Sequence, residues 1–469
     1  MKTAHYPPGP RGLPLAGSIL DYRRDPLGFM GEVARTYGDV ADVRFGPFHS
    51  ILLGHPDDIK DMLVTNNRRL HQGPAHMFLA RALGQGLLTS ENPLHLRQRR
   101  LLQPAFHRQR IAAYADVMTA YTADLADEWR ASAQRDLAQE MMRLTLRIVG
   151  KALFDTDIRE ASSLIGPASS VVNDYTSNRS TQVIGPLLDR LPLPASRRFY
   201  RAKAQLDRFV YQLIAERRAD EGDRGDLLSM LILARDESGR PMADRQVRDE
   251  AMTLLLAGHE TTANALAWTW YLLAQHPEVE TTLHAELDTV LAGRLPTFDD
   301  VPGLRYTEMV FREAIRLYPP AWGTSKLLIA PWQIRQYALP AGTVVAAISY
   351  LVHRDPRFWP EPERFNPDRW TAEAETTRPR FAYFPFGGGP RQCIGEPFAW
   401  LEGILILATL AQRWRLRLVP GHPVVPEPLI TLRPKYGIRM LVEPRTPGPA
   451  AGVMAGTAPS PATHRLRRP

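Results

Sequence analysis

Residues 384–400 read FPFGGGPRQCIGEPFAW, and Cys393 in this stretch is the single cysteine of a 469-residue chain. Three glycines, a proline and Arg391 precede the thiol, and a helix-like run follows it. Glycines let the backbone turn tightly and point N–H groups at a sulfur, and a nearby cation favours the thiolate. The loop therefore indicates an anionic sulfur that ligates a metal. The alternative is a small buried core cysteine, and zinc is disfavoured because no second cysteine exists.

The composition predicts a globular protein with a sizeable core. Hydrophobic residues make up 44% of the chain and charged residues 23%, which is ordinary for a soluble protein. The first residues lack an apolar signal segment, and the longest apolar run, 403–411, is too short to cross a bilayer. We expect that run to form a buried helix flanked by Glu402 and Gln412. A cytoplasmic protein without a membrane anchor is predicted.

The net charge of +8 allows two interpretations. The excess of basic residues either forms a solvated surface or lies on a face that docks an acidic partner. Nucleic-acid binding is not expected, because the sequence contains no zinc-finger spacing, ribonucleoprotein motif or heptad zipper.

Hydrophobic periodicity predicts a mainly α fold. Helical patterns dominate residues 57–290, and 233–277 contain a long apolar helix that ends before Pro277. Alternation predicts a β-hairpin over 37–56 and further strands over 328–349. The sequence thus predicts one large α-rich domain over 1–445 with a small β-rich part, followed by a disordered Ala/Pro-rich tail over 446–469.

The motif AGHETT at 257–262 interrupts the apolar helix with polar residues. Ala257 and Gly258 leave room for a bulky group against the helix. A buried Glu260 beside the hydroxyl of Thr261 is a plausible proton-delivery pair. The alternative is a Glu-Thr step that faces solvent.

Two weaker features surround these motifs. Glu313 and Arg316 stand at i,i+3 on one helical face, which taken alone predicts a routine surface ion pair. His95 and Arg99 stand at i,i+4 and present two anion-binding side chains, or simply belong to a solvated basic helix.

The order and spacing of these features make them specific. Glu313 precedes Cys393 by 80 residues and Thr261 precedes it by 132. Over residues 7–443 the chain resembles the haem-thiolate monooxygenases of the cytochrome P-450 family, in their bacterial form. The cysteine loop matches F-x-x-G-x-R-x-C-x-G, residues 257–262 match (A/G)-G-x-(D/E)-T-T, and Glu313 with Arg316 matches E-x-x-R.

The resemblance implies roles for individual residues. Cys393 would ligate the iron of haem b, and Glu260 and Thr261 would relay protons. Glu313, Arg316 and Arg369 would form a buried ion network. Residues expected to hold or contact the haem, its propionates included, are His95, Arg99, Ala257, Gly258, Lys326, Phe386, Gly387, Arg391, Ile394, Gly395 and Ala399.

The resemblance also implies the reaction. The family uses O2 and two electrons to hydroxylate or epoxidise a lipophilic molecule, here a fatty acid, terpene, polyketide or steroid. Residues 71–90, 254–261 and 319–325 would line the substrate cavity. With 76 residues after the cysteine, we expect electrons from NAD(P)H to arrive through a separate ferredoxin or flavodoxin and its reductase, at a monomeric enzyme.

Three alternatives remain open at this level. They are a peroxide-driven peroxygenase, a haem-thiolate isomerase or dehydratase, and a haem-binding sensor without catalysis. The acid–threonine pair disfavours the first two, and a sensor needs neither a proton relay nor a substrate cavity.

Overall fold

The computed structural model describes residues 5–180, 191, 193–220, 222–235 and 239–445, and the tail predicted over 446–469 lies outside this range. Helices dominate the described part, as predicted. Their bounds are α1 Ile19–Arg24, α2 Pro26–Tyr37, α3 Pro56–Lys60, α4 Pro74–Leu83, α5 Leu94–Leu102, α6 Arg108–Glu128, α7 Leu137–Phe154, α8 Arg159–Ser180, α9 Pro194–Ala219, α10 Leu227–Leu233, α11 Asp244–Leu273, α12 Pro277–Leu291, α13 Arg305–Leu317, α14 Ser349–Val352, α15 Ala372–Thr376 and α16 Glu396–Arg413.

The strands form small sheets. Their bounds are β1 Val40–Phe45, β2 Phe48–Leu53, β3 Leu70–Gln72, β4 Gln134–Asp136, β5 Thr324–Leu328, β6 Trp332–Ile334, β7 Tyr337–Leu339, β8 Val344–Ala347, β9 Trp414–Leu418, β10 Pro426–Pro428, β11 Leu432–Pro434 and β12 Arg439–Pro444. The largest sheet has the order β1-β2-β8-β5-β3, with β2 and β8 parallel and the other pairs antiparallel. β1 and β2 are the hairpin predicted over 37–56.

The long helix α11 runs through the core. Apolar residues cover most of its circumference, so it is buried on nearly every face between the surrounding helices. The helix ends at Leu273 and is capped by Ala274. Pro277 then occupies the first position of α12, where a missing N–H costs nothing. The long apolar helix predicted within 233–277, ending before Pro277, is therefore α11.

The helix α16 lies behind the cysteine loop and is the buried helix predicted over 403–411. Gly403 allows an aromatic ring to lie flat on this helix, because a Cβ there would come within 2.1 Å of Phe311 of α13. None of the described helices is long and apolar enough to span a membrane.

Candidate active site

The cysteine loop takes its shape from glycines that no other residue could replace without strain. Gly387 and Gly389 have φ angles of 72° and 67°, in the region that favours glycine. A Cβ at Gly389 would lie 2.2 Å from the carbonyl oxygen of Leu63. The backbone N–H of Cys393 donates to Phe386 at 3.0 Å, which closes the loop just before α16 begins.

The sulfur of Cys393 lies deep in the protein, yet the residue has exposed surface. The two observations agree if the thiol forms part of the wall of an internal space. Burial raises the pKa of Cys393, while hydrogen bonds from the backbone N–H groups of Gly395 and Glu396 and the charge of Arg99 lower it. These groups stabilise the thiolate, which is the form that binds metals.

The middle of α11 also combines deep burial with a locally exposed surface. Ala257 is exposed and Thr261 partly so, although most residues around them on this helix are buried. The space beside Gly258 is filled by α7, because a Cβ at Gly258 would lie 3.2 Å from the side chain of Val149. The accessible step on α11 therefore centres on Ala257 and Thr261.

Glu260 points into a buried network. One carboxyl oxygen accepts from the hydroxyl of Thr431 at 2.5 Å and the other from the side-chain amide of Asn173 on α8. Asn264 donates in turn to the Thr431 oxygen at 3.1 Å. Burial raises the pKa of Glu260, although these two hydrogen bonds lower it in part. Glu260 is thus held by an interior residue of α8 and by a residue beside β11.

The hydroxyl of Thr261 donates to the carbonyl oxygen of Ala257 at 2.9 Å, one helical turn back. The two members of the predicted proton-delivery pair are therefore adjacent in sequence but bonded to different partners. A proton passing between them needs an intervening water or a rotation of one side chain.

Basic side chains converge near the cysteine loop. Arg391 donates to the Ser90 carbonyl at 2.7 Å and to Glu91 at 2.5 Å, and Arg99 donates to the Gln392 carbonyl at 2.6 Å. Lys326 of β5 donates to Gln72. The structure thus brings together the side chains that the sequence placed far apart.

The mutual repulsion of these groups appears in their pKa values. Burial, with the charges of Arg391, Arg99 and Lys326, lowers the pKa of His95 to about 4. Burial and the charge of Arg391 lower the pKa of Lys326 to about 8. Among the residues that the structure describes, Glu91 is the one carboxylate whose charge raises the pKa of both Lys326 and Arg391. The cluster therefore has an excess of positive charge inside the protein.

Comparison with known proteins gives the same picture. The family model described as Cytochrome P450 matches residues 7–441. The chain belongs to the cytochrome P450 family. Relatives include cyclooctatin synthase of Streptomyces melanosporofaciens, 42% identical over 95% of this chain and 99% of the relative. Cyclooctat-9-en-7-ol 5-monooxygenase of the same organism is 39% identical over 88% of this chain and 90% of the relative. Pentalenene oxygenase of Streptomyces avermitilis is 35% identical, over 94% and 97% respectively.

This P450 is a monooxygenase, and its family implies haem and a redox partner. The residues present fit the group. An accessible thiol with two N–H donors suits a thiolate-bound iron. The surplus of cations suits the two carboxylates of haem. The buried Nδ1 of His76 also has no hydrogen-bond partner of good geometry among the described residues. Burial and the charges of Lys326 and Arg391 lower the pKa of His76 to about 3.

The predicted ion network of this P450 is confirmed. Arg316 donates twice to Glu313 at 2.8 Å, and both side chains are fully buried. Arg369 forms an ion pair with the same carboxylate at 3.3 Å, and Trp370 and the backbone N–H of Asn366 donate to it at 3.0 Å. Arg316 also donates to three backbone carbonyls. The pair is therefore structural rather than a surface contact.

Several residues around the site escaped the sequence reasoning. Asn173 and Thr431 carry no motif and lie far in sequence from Glu260, so no local signal marks them. Gln72 and His76 belong to the stretch 71–90 predicted to line the substrate cavity, but no pattern indicates that they lie near Lys326. Glu402 did carry a signal, as a charged residue beside an apolar run. It is fully buried in α16, where burial raises its pKa well above the usual range and a hydrogen bond from Thr262 lowers it in part. Neither of its oxygens has a partner of good geometry among the described residues.

Proposed function

We propose that this P450 hydroxylates or epoxidises a terpene, a polycyclic hydrocarbon or its alcohol. Two of its relatives are named for the oxidation of pentalenene and of cyclooctat-9-en-7-ol. These names denote alkenes, one with a hydroxyl already present. The identity of 35–42% over nearly whole chains carries this proposal.

In this proposal Cys393 binds the haem iron through its thiolate. Haem bound in this way supplies the activation of O2 with two electrons. The N–H groups of Gly395 and Glu396 hold the negative charge on the sulfur. Arg391, Lys326, Arg99 and His95 hold the haem carboxylates, which offset the excess of positive charge described above. Other residues assigned to contact with the haem are Ala257, Gly258, Phe386, Gly387, Ile394 and Ala399.

Glu260 and Thr261 are proposed to deliver protons to the reacting oxygen. The raised pKa of Glu260 suits an acid that holds its proton more readily than an exposed carboxyl group does. Thr431 and Asn173 hold its carboxyl in the buried position from which it must rotate or pass a proton through water. The hydroxyl of Thr261, at the accessible step of α11, is the group from which the proton leaves the protein.

Electrons are proposed to come from NAD(P)H through an acidic ferredoxin or flavodoxin. Arg97 and Arg100 of α5 are exposed, as is Arg108 at the start of α6. Arg99 of the same helix α5 contacts the cysteine loop through Gln392. Positive charge beside the loop steers an acidic partner to the side of the protein where electrons must enter. Raising the salt concentration should slow the first electron transfer.

The experiment is turnover under 18O2 with NAD(P)H, a ferredoxin and its reductase, on polycyclic terpenes, fatty acids and steroids. The proposal expects one 18O atom in a terpene product and a spin-state shift of the Soret band on terpene binding. Oxidation of fatty acids or steroids without terpene turnover would contradict the substrate class. Equal product from peroxide without the redox partner would identify a peroxygenase instead.

A further inference from the structure

Two carboxylates near the start of α11 hold a loop of the predicted substrate cavity. The loop covers residues 84–90, and we call it the clamped loop. Asp249 accepts a hydrogen bond from the backbone N–H of Gln85, and Glu250 accepts one from that of Leu87, both at 2.8 Å. Both acids are buried, Glu250 completely. Because a buried carboxylate is costly unless it is hydrogen-bonded, the acids depend on the loop as much as the loop depends on them.

The clamped loop lies directly on α11, since its two glycines leave no room for a side chain. Gly84 has a φ angle of 68°, and a Cβ there would lie 2.1 Å from the carboxylate of Asp249. A Cβ at Gly86 would lie 2.1 Å from the hydroxyl oxygen of Thr253, one turn further along the helix. The loop can therefore leave the helix only by giving up its hydrogen bonds to the two acids.

Arg248 connects the same contact to a second helix. It donates to the carbonyl oxygen of Ala82, just before the clamped loop, at 2.7 Å and pairs with Asp249 at 2.8 Å. It also pairs with Asp207 of α9. We call Arg248, Asp249 and Glu250 the clamp. The clamp joins the loop, α11 and α9.

Glu250 is the acid of the clamp that has no cationic partner among the described residues. Its partners are the N–H of Leu87 and the side-chain amide of Gln246, which donates at 3.0 Å. Burial raises the pKa of Glu250 to about 7, with a smaller contribution from the charge of Asp249, while the two hydrogen bonds lower it in part. The closed clamp therefore favours the neutral acid.

The elements around Glu250 present few charges. The clamped loop contains no charged residue, and neither does α10, which packs on α11. From α5, the uncharged Gln98 donates to the Gln85 carbonyl at 2.6 Å. From α9, Asp207 is paired with Arg248. Access of water to Glu250 thus decides its ionisation more than any neighbouring charge does.

We propose that Asp249 and Glu250 are positioning residues for the substrate, which hold the clamped loop as a wall of the cavity and release it when Glu250 ionises in water. The proposal rests on the proposed function, because that function assigns residues 71–90 to the substrate cavity. A fixed wall orients an apolar molecule, and a released wall admits it.

The direction of the pH dependence follows from linkage. The closed state keeps Glu250 out of water, and the open state returns its pKa from about 7 to its ordinary value of about 4.5. The closed state therefore binds the proton more tightly. Raising the pH between these two values favours opening, and the effect levels off above the higher one.

A purely structural clamp is the competing interpretation. It would stabilise the fold, but the exchange of its amides would not respond to pH in this way, and it would not control the entry of a ligand. Two carboxylates placed on the backbone of a cavity loop, one of them without a counter-charge, favour the positioning role.

The test is amide hydrogen exchange of the haem-loaded enzyme at about pH 6 and about pH 8, read on peptides of the clamped loop and corrected for intrinsic exchange rates. Protection of the loop should fall about tenfold over this range, as linkage requires for the two pKa values above. The association rate of metyrapone, an uncharged pyridine that binds haem iron, should rise with it.

Two variants should change the loop in opposite directions. Glu250→Gln keeps an oxygen that accepts from Leu87 but cannot ionise, so the loop should be as protected at high pH as the wild type is at low pH. Asp249→Ala removes the acceptor for the N–H of Gln85 and should speed exchange at both pH values.

The matched control is E286Q. Glu286 of α12 accepts from the backbone N–H groups of Tyr306 and Thr307 at 2.5 and 2.8 Å, and so holds the start of α13 instead of the clamped loop. It should leave the exchange of the loop and its pH dependence as in the wild type.

Protection that is independent of pH in the wild type, or a pH dependence that survives in E250Q or disappears equally in E286Q, would overturn the proposal. A loop that responds while metyrapone entry does not would reduce the clamp to a structural role and overturn it as well. No terpene enters these measurements, so an error in the substrate class leaves their outcome unchanged.

Discussion

Replacing Glu313 by glutamine should destabilise this P450 strongly. The carboxylate accepts four hydrogen bonds and a further ion-pair contact inside a core from which water is excluded. Glutamine keeps the shape and one acceptor oxygen but removes the negative charge. The guanidinium groups of Arg316 and Arg369 would then lose the buried counter-charge that they share.

The expected size follows from the burial. Removing one partner of a buried ion pair costs about 3–5 kcal/mol, because the remaining charge is left uncompensated. An exposed pair nearby supplies the control. Arg364 and Glu361 lie 3.2 Å apart with side chains 62% and 68% exposed, and such pairs contribute less than about 1 kcal/mol. E361Q should therefore behave almost as the wild type.

Urea unfolding of the two variants measures the difference. The native pocket is followed through the Soret band of the reduced carbon monoxide complex. With a slope of about 3 kcal/mol per molar, the midpoint of E313Q should fall by about 1 M or more. If E313Q unfolded within about 1 kcal/mol of E361Q, the buried carboxylate would not be compensating the two arginines.

Three further substitutions test other parts of the structure. Gly389→Ala forces a Cβ to within 2.2 Å of the Leu63 carbonyl at a φ of 67°. We expect a strain of at least about 1–2 kcal/mol and a low yield of haem-loaded protein. A normal yield would contradict the assigned loop geometry. At pH values above the usual carboxyl pKa, Glu402→Gln should be more stable than the wild type. The reason is that Glu402 ionises in the unfolded wild type at these pH values, while burial keeps it neutral in the folded protein. The difference in free energy of unfolding between variant and wild type should grow by up to about 1.4 kcal/mol per pH unit, until the pH reaches the pKa of Glu402 in the folded protein. The difference should vanish in acid. Chemical denaturation at several pH values measures it, and a difference independent of pH would refute burial of a neutral acid. Thr431→Val removes a hydrogen-bond donor that stabilises ionised Glu260, so the pKa of Glu260 should rise further. Product formed per NAD(P)H should then fall, with rescue by serine; unchanged coupling would exclude a positioning role.

Local sequence patterns predicted most of the fold. Alternation over 37–56 becomes β1 and β2, and the apolar run over 403–411 becomes the interior of α16. The glycines of the cysteine loop are predictable because positive φ and close approach to Leu63 are backbone constraints that sequence records directly. Such features depend on neighbours in the chain, so the chain alone indicates them.

The parts that sequence did not reveal depend on distant contacts. Thr431 and Asn173 meet Glu260 across 171 and 87 residues, and nothing in their local sequence marks them. Glu402 and Gln412 were expected to flank the apolar run as its polar ends, yet both are buried. Their burial follows from the packing of other helices around α16, which hydrophobic periodicity within one helix does not record.

The central claim is that Cys393 is the thiolate ligand of haem iron. The reduced carbon monoxide difference spectrum tests it most directly, on the wild type and on Cys393→His with restored haem content. The wild type should show the red-shifted Soret band that gives the family its name, and the histidine variant should show a band at shorter wavelength. The same red-shifted band in both proteins, or its absence from the wild type, would contradict the claim.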